Sequence, residues 1–427
     1  MTDNNFDNIF RREASGEKMP KALIAAVDTG DYDVERSLFE LKELIKTAGG
    51  ETVCEVVQKR QSPDAATAIG PGRLEEMISL VEDFEVDVVV FDLELTATQI
   101  RNIEKALNVE TIDRTMLILD IFAQRATTRE GKLQVETAKY KYLLPRLSGM
   151  GRELSRTGGV VGMRGGPGET KLELDRRYIR SRISALESEL KEIASRRKLL
   201  RDRRKKDGVL SAAIVGYTNV GKSTLMNALT EAGVLVENKL FATLETTSRS
   251  IILPDGRSVL LTDTVGLISR LPHHLVEAFR STLEEAANAD VIINVCDSAS
   301  DDIAEQTRVT KQLLSELGCD GIPVVTVLNK ADISNLGDEL LPKGAVLISA
   351  KEGRGLDVLL SEIAKALPET ARRMKLLVPF SEAGLLSKIR AEGNIFSEEY
   401  TADGIAVDAL VDVKLIRSAE KYRVSDV

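Results

Sequence analysis

The sequence predicts an α/β protein of four parts. Residues 21–110 and 209–367 both alternate strand-like and helix-like stretches, the pattern of parallel sheets covered by helices. Between them lie two long helical stretches separated by a glycine-rich segment, and a short mixed segment follows Pro368. These observations predict a chain in which two α/β domains flank a helical linker.

The domain boundaries follow from these changes of pattern. We expect an N-terminal α/β domain over residues 1–112 and a helical hairpin with a glycine-rich basic tip over 113–207. A second α/β domain is expected over 208–368, and a small C-terminal α/β domain over 369–427.

Composition restricts the class of protein. The chain is 43% hydrophobic and 29% charged, which is ordinary for a globular protein. No window reaches 18 consecutive apolar residues and the first residues are polar, so we expect neither a membrane span nor a signal peptide. The scattered cysteines Cys54, Cys296 and Cys319 suit a reducing cytoplasm and exclude a disulfide scaffold.

In the N-terminal part, "KALIAAV", "ETVCEVVQK" and "VDVVVFD" are predicted strands. The stretches "VERSLFELKELIKTAG", "GRLEEMISLVEDF" and "TATQIRNIEKAL" are predicted helices. The glycine-rich "GPGRLEEM" (70–77) is a weak candidate for a phosphate loop, and a plain strand-to-helix turn is the alternative.

The linker is predicted to be a hairpin of two helices. Residues 115–147 form the first arm, and eight glycines lie between residues 149 and 168. The second arm starts near Thr170, and its apolar residues have the spacing of a coiled-coil seam: Ile179, Ile183, Leu186, Leu190 and Ile193. A tip that is mostly glycine has few side chains to pack, so we expect it to stay mobile until it meets a partner.

Charge is distributed unevenly along the chain. The net charge is −9, but residues 151–206 carry 17 Lys and Arg against 8 Asp and Glu, which gives +9. Residues 1–150 carry 19 against 27 and residues 207–427 carry 22 against 32, so both flanks are acidic. A basic segment between acidic ones is typical of contact with a polyanion, and a solvated charged helix is the alternative.

A phosphate-binding loop follows the predicted strand "LSAAIV". "GYTNVGKS" (216–223) fits the pattern G-x-x-x-x-G-K-[ST] and precedes a predicted helix. In such a loop, Lys222 would reach the β- and γ-phosphates and the Ser223 hydroxyl would ligate Mg²⁺. Backbone N–H groups of the remaining loop residues would wrap the phosphates: Gly216, Tyr217, Thr218, Asn219, Val220 and Gly221.

Three further motifs end successive predicted strands. In "DTVG" (Asp263, Thr264, Val265 and Gly266), Asp263 is placed to hold Mg²⁺ through water and the Gly266 N–H to contact the γ-phosphate. In "NKAD" (Asn329, Lys330, Ala331 and Asp332), the carboxylate of Asp332 can accept both N–H groups of a guanine edge. "SAK" (Ser349, Ala350 and Lys351) would offer a backbone N–H to guanine O6. Together the four motifs predict a guanine-specific P-loop GTPase that converts GTP to GDP and phosphate.

A segment between the first two motifs is predicted to close over the metal. In "FATLETTSR" (241–249) we expect the residues at the nucleotide to be Phe241, Ala242, Thr243, Leu244 and Glu245. Thr243 is the predicted magnesium ligand, with Thr246 and Thr247 as alternatives. The predicted catalytic residues are therefore Lys222, Ser223, Thr243 and Gly266.

Two residues bear on the rate of hydrolysis. Leu267 stands where many signalling GTPases carry a water-orienting glutamine, so unaided hydrolysis is expected to be slow. Asn219 resembles the asparagine of GTPases that recruit K⁺, and capping of a turn is its alternative role.

The chain resembles the HflX GTPases of bacteria and archaea over residues from about 20 to 367. The motifs that carry the resemblance, in chain order, are "GPGRLEE", "FAQRATTREGKLQVETAKYKYLLPRL", "GGPGETKLELDRR", "GYTNVGKSTLMNAL", "FATLETT", "DTVGLISRLPHHLVEAFRSTLEEAANAD" and "NKAD". "FATLETTSR" departs from the family's commoner "FATLDPTTR", which affects the choice of ligand within this segment.

The resemblance implies a cytoplasmic, monomeric GTPase that binds the large ribosomal subunit through ribosomal RNA and proteins. Family members split or rescue stalled or idle ribosomes under stress, with the hairpin tip directed toward the peptidyl-transferase centre. Two alternatives stay open: a signalling GTPase whose hairpin binds a protein, and an RNA-remodelling NTPase with a second nucleotide near "GPGRLEE".

Overall fold

The computed structural model describes residues 19–148, 171–230, 240–241, 246–268, 270, 275, 284–300, 303–334, 342 and 344–424. Contacts divide the described residues into two compact units. The N-terminal unit comprises those of Met1–Arg196, Glu237–Glu245 and Ile268–Ser281. The C-terminal unit comprises those of Arg197–Val236, Thr246–Leu267 and Thr282–Val427. The predicted α/β class is confirmed, and none of the described helices is both long and apolar enough to cross a membrane.

The N-terminal unit contains a four-stranded parallel sheet in the order β2-β1-β3-β4. Its strands are β1 (Lys21–Asp28), β2 (Glu51–Lys59), β3 (Val88–Phe91) and β4 (Glu110–Asp113). Its helices are α1 (Val34–Ala48), α2 (Pro71–Phe84) and α3 (Ala97–Leu107). The centres of β1 and β3 are fully buried, as expected for a parallel sheet covered on both faces. The sequence did not predict β4, which has four residues and only one large apolar side chain, Ile112.

The turn "GPGRLEEM" begins helix α2. Gly70 is the residue before the helix, and its N–H donates to Gln58 Oε1 at 2.8 Å. A Cβ added at Gly70 would lie 2.7 Å from Arg60 Nη1, so the side chains of β2 and the following loop fill the space in front of this turn.

The first arm of the linker is two helices, α4 (Arg114–Arg125) and α5 (Arg129–Leu143), so the prediction of one continuous helix over 115–147 was wrong. The break occurs because Ala126 leaves the helical conformation and the Thr128 hydroxyl accepts the Gly131 N–H, which starts a new helix. α4 packs on α1, and most of its residues are buried.

Helix α6 (Lys171–Lys206) has 36 residues, which corresponds to about 54 Å. A small apolar cluster joins α6 to the first arm. Its buried members are Leu147, Ile179 and Ile183, and the partly buried Tyr140 and Leu144 pack against them. Leu186 is also buried, whereas Leu190 and Ile193 are half-buried. The ion pairs Arg129–Glu189 (2.7 Å) and Arg182–Glu136 (2.8 Å) fix α5 and α6 as antiparallel neighbours. The predicted glycine-rich tip (149–168) lies outside the described residues.

The C-terminal unit holds a six-stranded sheet in the order β10-β9-β8-β5-β7-β6. Its strands are β5 (Leu210–Gly216), β6 (Thr247–Ile252), β7 (Ser258–Asp263), β8 (Val291–Asp297), β9 (Val324–Asn329) and β10 (Val346–Leu347). Helices α7 (Lys222–Thr230), α8 (Ile303–Glu316) and α9 (Leu356–Ala366) follow strands of this sheet. The sequence did not predict β6, which pairs antiparallel to β7 at the sheet edge. The turn residues "PDG" between two apolar runs were a signal for this hairpin.

The last segment is an antiparallel sheet in the order β11-β13-β12 with two helices. Its elements are β11 (Ala371–Val378), α10 (Ala383–Glu392), β12 (Asn394–Thr401), β13 (Gly404–Asp412) and α11 (Val413–Ala419). The guanidinium of Arg257, in the β6–β7 turn, donates to the carbonyls of Ala364 and Pro368 at 2.5 and 2.8 Å. Gly256 lies against the Phe396 ring, which a Cβ would approach to 2.4 Å. The β6–β7 turn therefore packs against both α9 and β12.

Candidate nucleotide-binding site

The backbone of the loop after β5 requires glycine at two positions. Gly216 has φ +148°, and a Cβ there would lie 2.2 Å from the Val295 carbonyl oxygen. Gly221 has φ +92°, and its Cβ would lie 2.4 Å from Asn329 Nδ2. Both glycines thus permit a close approach that other residues cannot make. Asn219 also adopts a left-handed conformation, with φ +61°, and its side chain is exposed.

Lys222 begins helix α7 and is only 7% exposed. Its Nζ donates to the carbonyl oxygens of Gly216 and Tyr217 at 3.1 and 2.8 Å, so the ammonium group lies inside the loop. Burial lowers the pKa of Lys222 to about 8, while the nearby Asp263 carboxylate opposes the shift. A phosphate beside it would favour the charged form further, which is the chemistry expected of a phosphate-binding lysine.

Ser223 and Asp263 bring two oxygen groups together at the end of β7. The Ser223 hydroxyl donates to Asp263 Oδ2 at 3.0 Å, and Asp263 is 1% exposed. A hydroxyl beside a buried carboxylate is a set of hard oxygen donors that fits Mg²⁺. The remaining predicted ligand, Thr243, and its neighbours Ala242, Leu244 and Glu245 lie outside the described residues.

The end of "DTVG" lies against the phosphate-binding loop. The Thr218 N–H donates to the Leu267 carbonyl at 2.7 Å, and the Leu267 N–H donates to the Gly216 carbonyl at 3.1 Å. A Cβ at Gly266 would lie 2.7 Å from Thr218 Cγ2 and 3.1 Å from Lys222 Nζ. Gly266 therefore adjoins the lysine that is predicted to hold the γ-phosphate. The side chains of Val265 and Leu267 are buried.

The side chain of Asn329 connects the two halves of the site. Its Nδ2 donates to the Val220 carbonyl at 2.9 Å, and its Oδ1 accepts the Ala350 N–H at 2.9 Å. Lys330 pairs with Asp297 at 2.6 Å. Sequence reasoning missed Asp297, although an acidic residue at the carboxyl end of a buried strand was a usable signal.

Asp332 lies at the end of the site where the guanine base is expected. The Ser349 hydroxyl donates to Asp332 Oδ1 at 2.7 Å and holds the pKa of this carboxyl below its ordinary value. The Ala331 N–H donates to the Ile348 carbonyl at 3.0 Å, which joins the "NKAD" loop to the segment that contains Ser349 and Ala350. Lys351 is exposed. Asp332 is thus an ionised acceptor at neutral pH, suited to the two donors of a guanine edge.

The side chain of Phe241 is buried in the N-terminal unit. Its side chain is 2% exposed, and its ring meets that of Phe122 edge to face with 4.7 Å between centroids. Both residues belong to the N-terminal unit. The ring is therefore used in packing, which leaves only the backbone of Phe241 for a nucleotide contact.

Replacing Asp332 by Asn converts an acceptor into an amide that matches the reversed edge of xanthine. We expect the affinity for GTP to fall by at least about tenfold, because charge-assisted hydrogen bonds to the base are lost, and the affinity for xanthosine triphosphate to rise. Competition binding with a fluorescent guanine nucleotide measures both. Glu352→Gln, which removes a neighbouring exposed carboxylate, is the matched control, and unchanged GTP affinity in Asp332→Asn would contradict the assignment.

Comparison with known proteins places this site in a family. Residues 35–123 match the family model for the N-terminal domain of GTP-binding GTPases, and residues 125–204 match its middle region. Residues 211–330 match a model described as a 50S ribosome-binding GTPase. A solved GTP-binding protein from Sulfolobus solfataricus in complex with GDP is 26% identical, with a TM-score of 0.44 over 82% of this chain and 98% of that chain.

Curated relatives cover nearly the whole chain. The GTPase HflX of Caldanaerobacter subterraneus subsp. tengcongensis is 47% identical over 408 residues, which is 95% of this chain and 94% of the relative. The GTPase HflX of Escherichia coli K12 is 38% identical over 402 residues, which is 93% of both chains. The chain therefore belongs to the HflX family of GTPases and is a GTP hydrolase.

Proposed function

We propose that this GTPase binds the large ribosomal subunit and uses GTP hydrolysis to split or rescue stalled or idle ribosomes under stress. The observation that carries the proposal is the basic segment 151–206, with 17 Lys and Arg against 8 Asp and Glu in an otherwise acidic chain. A match of residues 211–330 to a model described as a 50S ribosome-binding GTPase supports the same partner. The protein would act as a monomer in the cytoplasm.

The basic end of α6 offers an exposed surface for RNA phosphates. Arg203, Arg204, Lys205 and Lys206 are exposed and lie just before β5. Arg201 is instead directed to Glu285 at 3.7 Å within the C-terminal unit. Within the described part of the chain, no ion pair involves Arg204, Lys205 or Lys206. These three cations are therefore the ones best placed to neutralise phosphates.

Hydrolysis would use three groups that lie together in the C-terminal unit. Lys222 would hold the β- and γ-phosphates, Gly266 would contact the γ-phosphate, and Ser223 would ligate Mg²⁺. Thr243, which lies outside the described residues, is the second ligand that we propose. The ion would neutralise charge that develops on the phosphate oxygens. Leu267 is buried and has no group that can orient water, so the basal rate is expected to be low.

The charge of the α6 end is tested with the triple variant Arg204→Gln, Lys205→Gln, Lys206→Gln. Because each neutralised phosphate releases counterions, the slope of log K against log salt for large-subunit binding should become shallower by about 2 to 3. Binding should weaken with GDP and with a GTP analogue alike. The matched control is a second triple variant, which removes three exposed lysines of the last domain: Lys388→Gln, Lys414→Gln and Lys421→Gln. Subunit binding that is indifferent to salt would favour a protein partner for the hairpin.

Activation by K⁺ is a further proposal for the same site. Asn219 has an exposed side chain on a left-handed turn at the phosphate-binding loop, where it could help to ligate a cation beside the phosphates. Hydrolysis should then be faster in KCl than in NaCl at equal ionic strength, and Asn219→Ala should remove the difference. Equal rates of hydrolysis in KCl and NaCl would indicate that Asn219 only stabilises the turn.

A further inference from the structure

Three tyrosines of the helical linker differ in how far their rings are covered. Tyr142 is 4% exposed, and the guanidinium carbon of Arg146 lies 3.7 Å from the centroid of its ring. Tyr140 is partly buried and packs on the apolar cluster between α6 and the first arm. Tyr178, near the start of α6, is 60% exposed. Among these three rings, that of Tyr178 is the one that offers a face to a molecule outside the chain.

The exposed side of α6 leaves room beside the Tyr178 ring. Residues three and four apart lie one above the other on a helix, so Leu174, Ser181 and Ala185 share a side of α6 with Tyr178. All of them are exposed. Ser181 and Ala185 have small side chains, which lets a flat ligand approach the ring from that side. The side of α6 that packs inside the protein is a different one, formed by Ile179, Ile183 and Leu186.

The chain around Tyr178 is basic. The fifteen residues centred on it, 171–185, carry five Lys and Arg against two Asp and Glu, which gives +3. Arg177 is exposed directly beside Tyr178. Arg182, one turn further along, is held by Glu136 at 2.8 Å. An exposed aromatic ring beside an exposed guanidinium thus lies in a positive field, which attracts a polyanion.

A second exposed tyrosine shows that this setting is not general. Tyr400 on β12 is 68% exposed. The fifteen residues centred on it, 393–407, carry no Lys or Arg against three Asp and Glu, which gives −3. Two similarly exposed rings therefore lie in fields of opposite sign. A polyanion would bind at Tyr178 and be repelled from Tyr400.

Single-stranded or unpaired RNA is the polyanion that uses both features of this surface. Its unstacked bases lie on aromatic side chains, while cations contact the phosphates on either side. A regular RNA duplex presents mainly phosphates and 2′-hydroxyl groups, so it would gain little from an exposed ring. The hydroxyls of Ser181 and Ser184, both exposed, can donate to phosphate or ribose oxygens next to the stacked base.

We propose that Tyr178 is the stacking platform for an unpaired base of ribosomal RNA, with Arg177 contacting a neighbouring phosphate. The inference rests on the proposed function, because the RNA is that of the large ribosomal subunit. It assigns an RNA contact to a second place on α6, 25 residues before Arg203 at the basic end of the helix, which corresponds to about 38 Å along its axis. The helix would then be gripped by RNA at two separated points.

Binding of the full-length chain to purified large subunits tests the stacking contact. Tyr178→Ala should weaken binding by between about fivefold and a hundredfold, the range for loss of one stacked base. The slope of log K against log salt should keep its wild-type value, because no cation is removed. Tyr178→Phe retains the ring face and should bind as the wild type does. Tyr178→Leu has no π face and should bind as weakly as the alanine variant.

Tyr400→Ala is the matched control, because it removes a similarly exposed ring from an acidic surface. It should bind as the wild type does, and thermal unfolding of every variant is measured in parallel. Unchanged binding in Tyr178→Ala, or wild-type binding in Tyr178→Leu, would overturn the inference while the proposed function stands. A wild type that does not bind the large subunit would instead overturn the proposed function.

Cross-linking identifies the molecule that covers this surface. A photoreactive phenylalanine analogue is placed at position 178, and the full-length chain is irradiated on the large subunit. We expect the cross-link to form with ribosomal RNA, at a nucleotide that is not base-paired. A cross-link confined to a ribosomal protein would overturn the inference.

Discussion

The nucleotide site depends on one buried amide. Asn329 donates to the Val220 carbonyl in the phosphate-binding loop and accepts the Ala350 N–H in the loop that would meet the guanine O6. It is 3% exposed, so loss of the amide would leave two buried backbone groups without partners. These two bonds join the loop that is predicted to hold the phosphates to the loop that is predicted to read the base. Lys222 and Asp332 can then engage opposite ends of a single nucleotide.

The parallel sheet supplies the second constraint. Strands β5, β7 and β9 end at the same edge, so motifs far apart in sequence meet there. The antiparallel hairpin β6–β7 extends away from this edge to a turn. In this turn, Arg257 donates to the Pro368 carbonyl, and Gly256 packs against the Phe396 ring of the last domain. The β6–β7 hairpin thus extends from Asp263, at the predicted magnesium site, to a turn that packs against the C-terminal sheet.

Much of this arrangement could be predicted from sequence, because each motif carries its chemistry in adjacent residues and each long strand has its own apolar run. Strand β4 and the break at Ala126 were missed, since both are decided by local bonds without a periodic signal. The side-chain contacts of Phe241 and Arg270 could not be predicted from the sequence. Their partners Phe122 and Asp92 lie more than a hundred residues away, and no local pattern marks a side chain that packs on a distant domain.

The molecule combines a guanine-nucleotide site with a basic helix and an N-terminal α/β domain. We propose that this GTPase acts on the large ribosomal subunit in a nucleotide-dependent manner. The most direct measurement is cosedimentation of the full chain with separated large and small ribosomal subunits, in GDP and in a non-hydrolysable GTP analogue. We expect retention on the large subunit to be stronger with the analogue than with GDP, and retention on the small subunit to be slight. Equal retention on both subunits, or on neither, would contradict it.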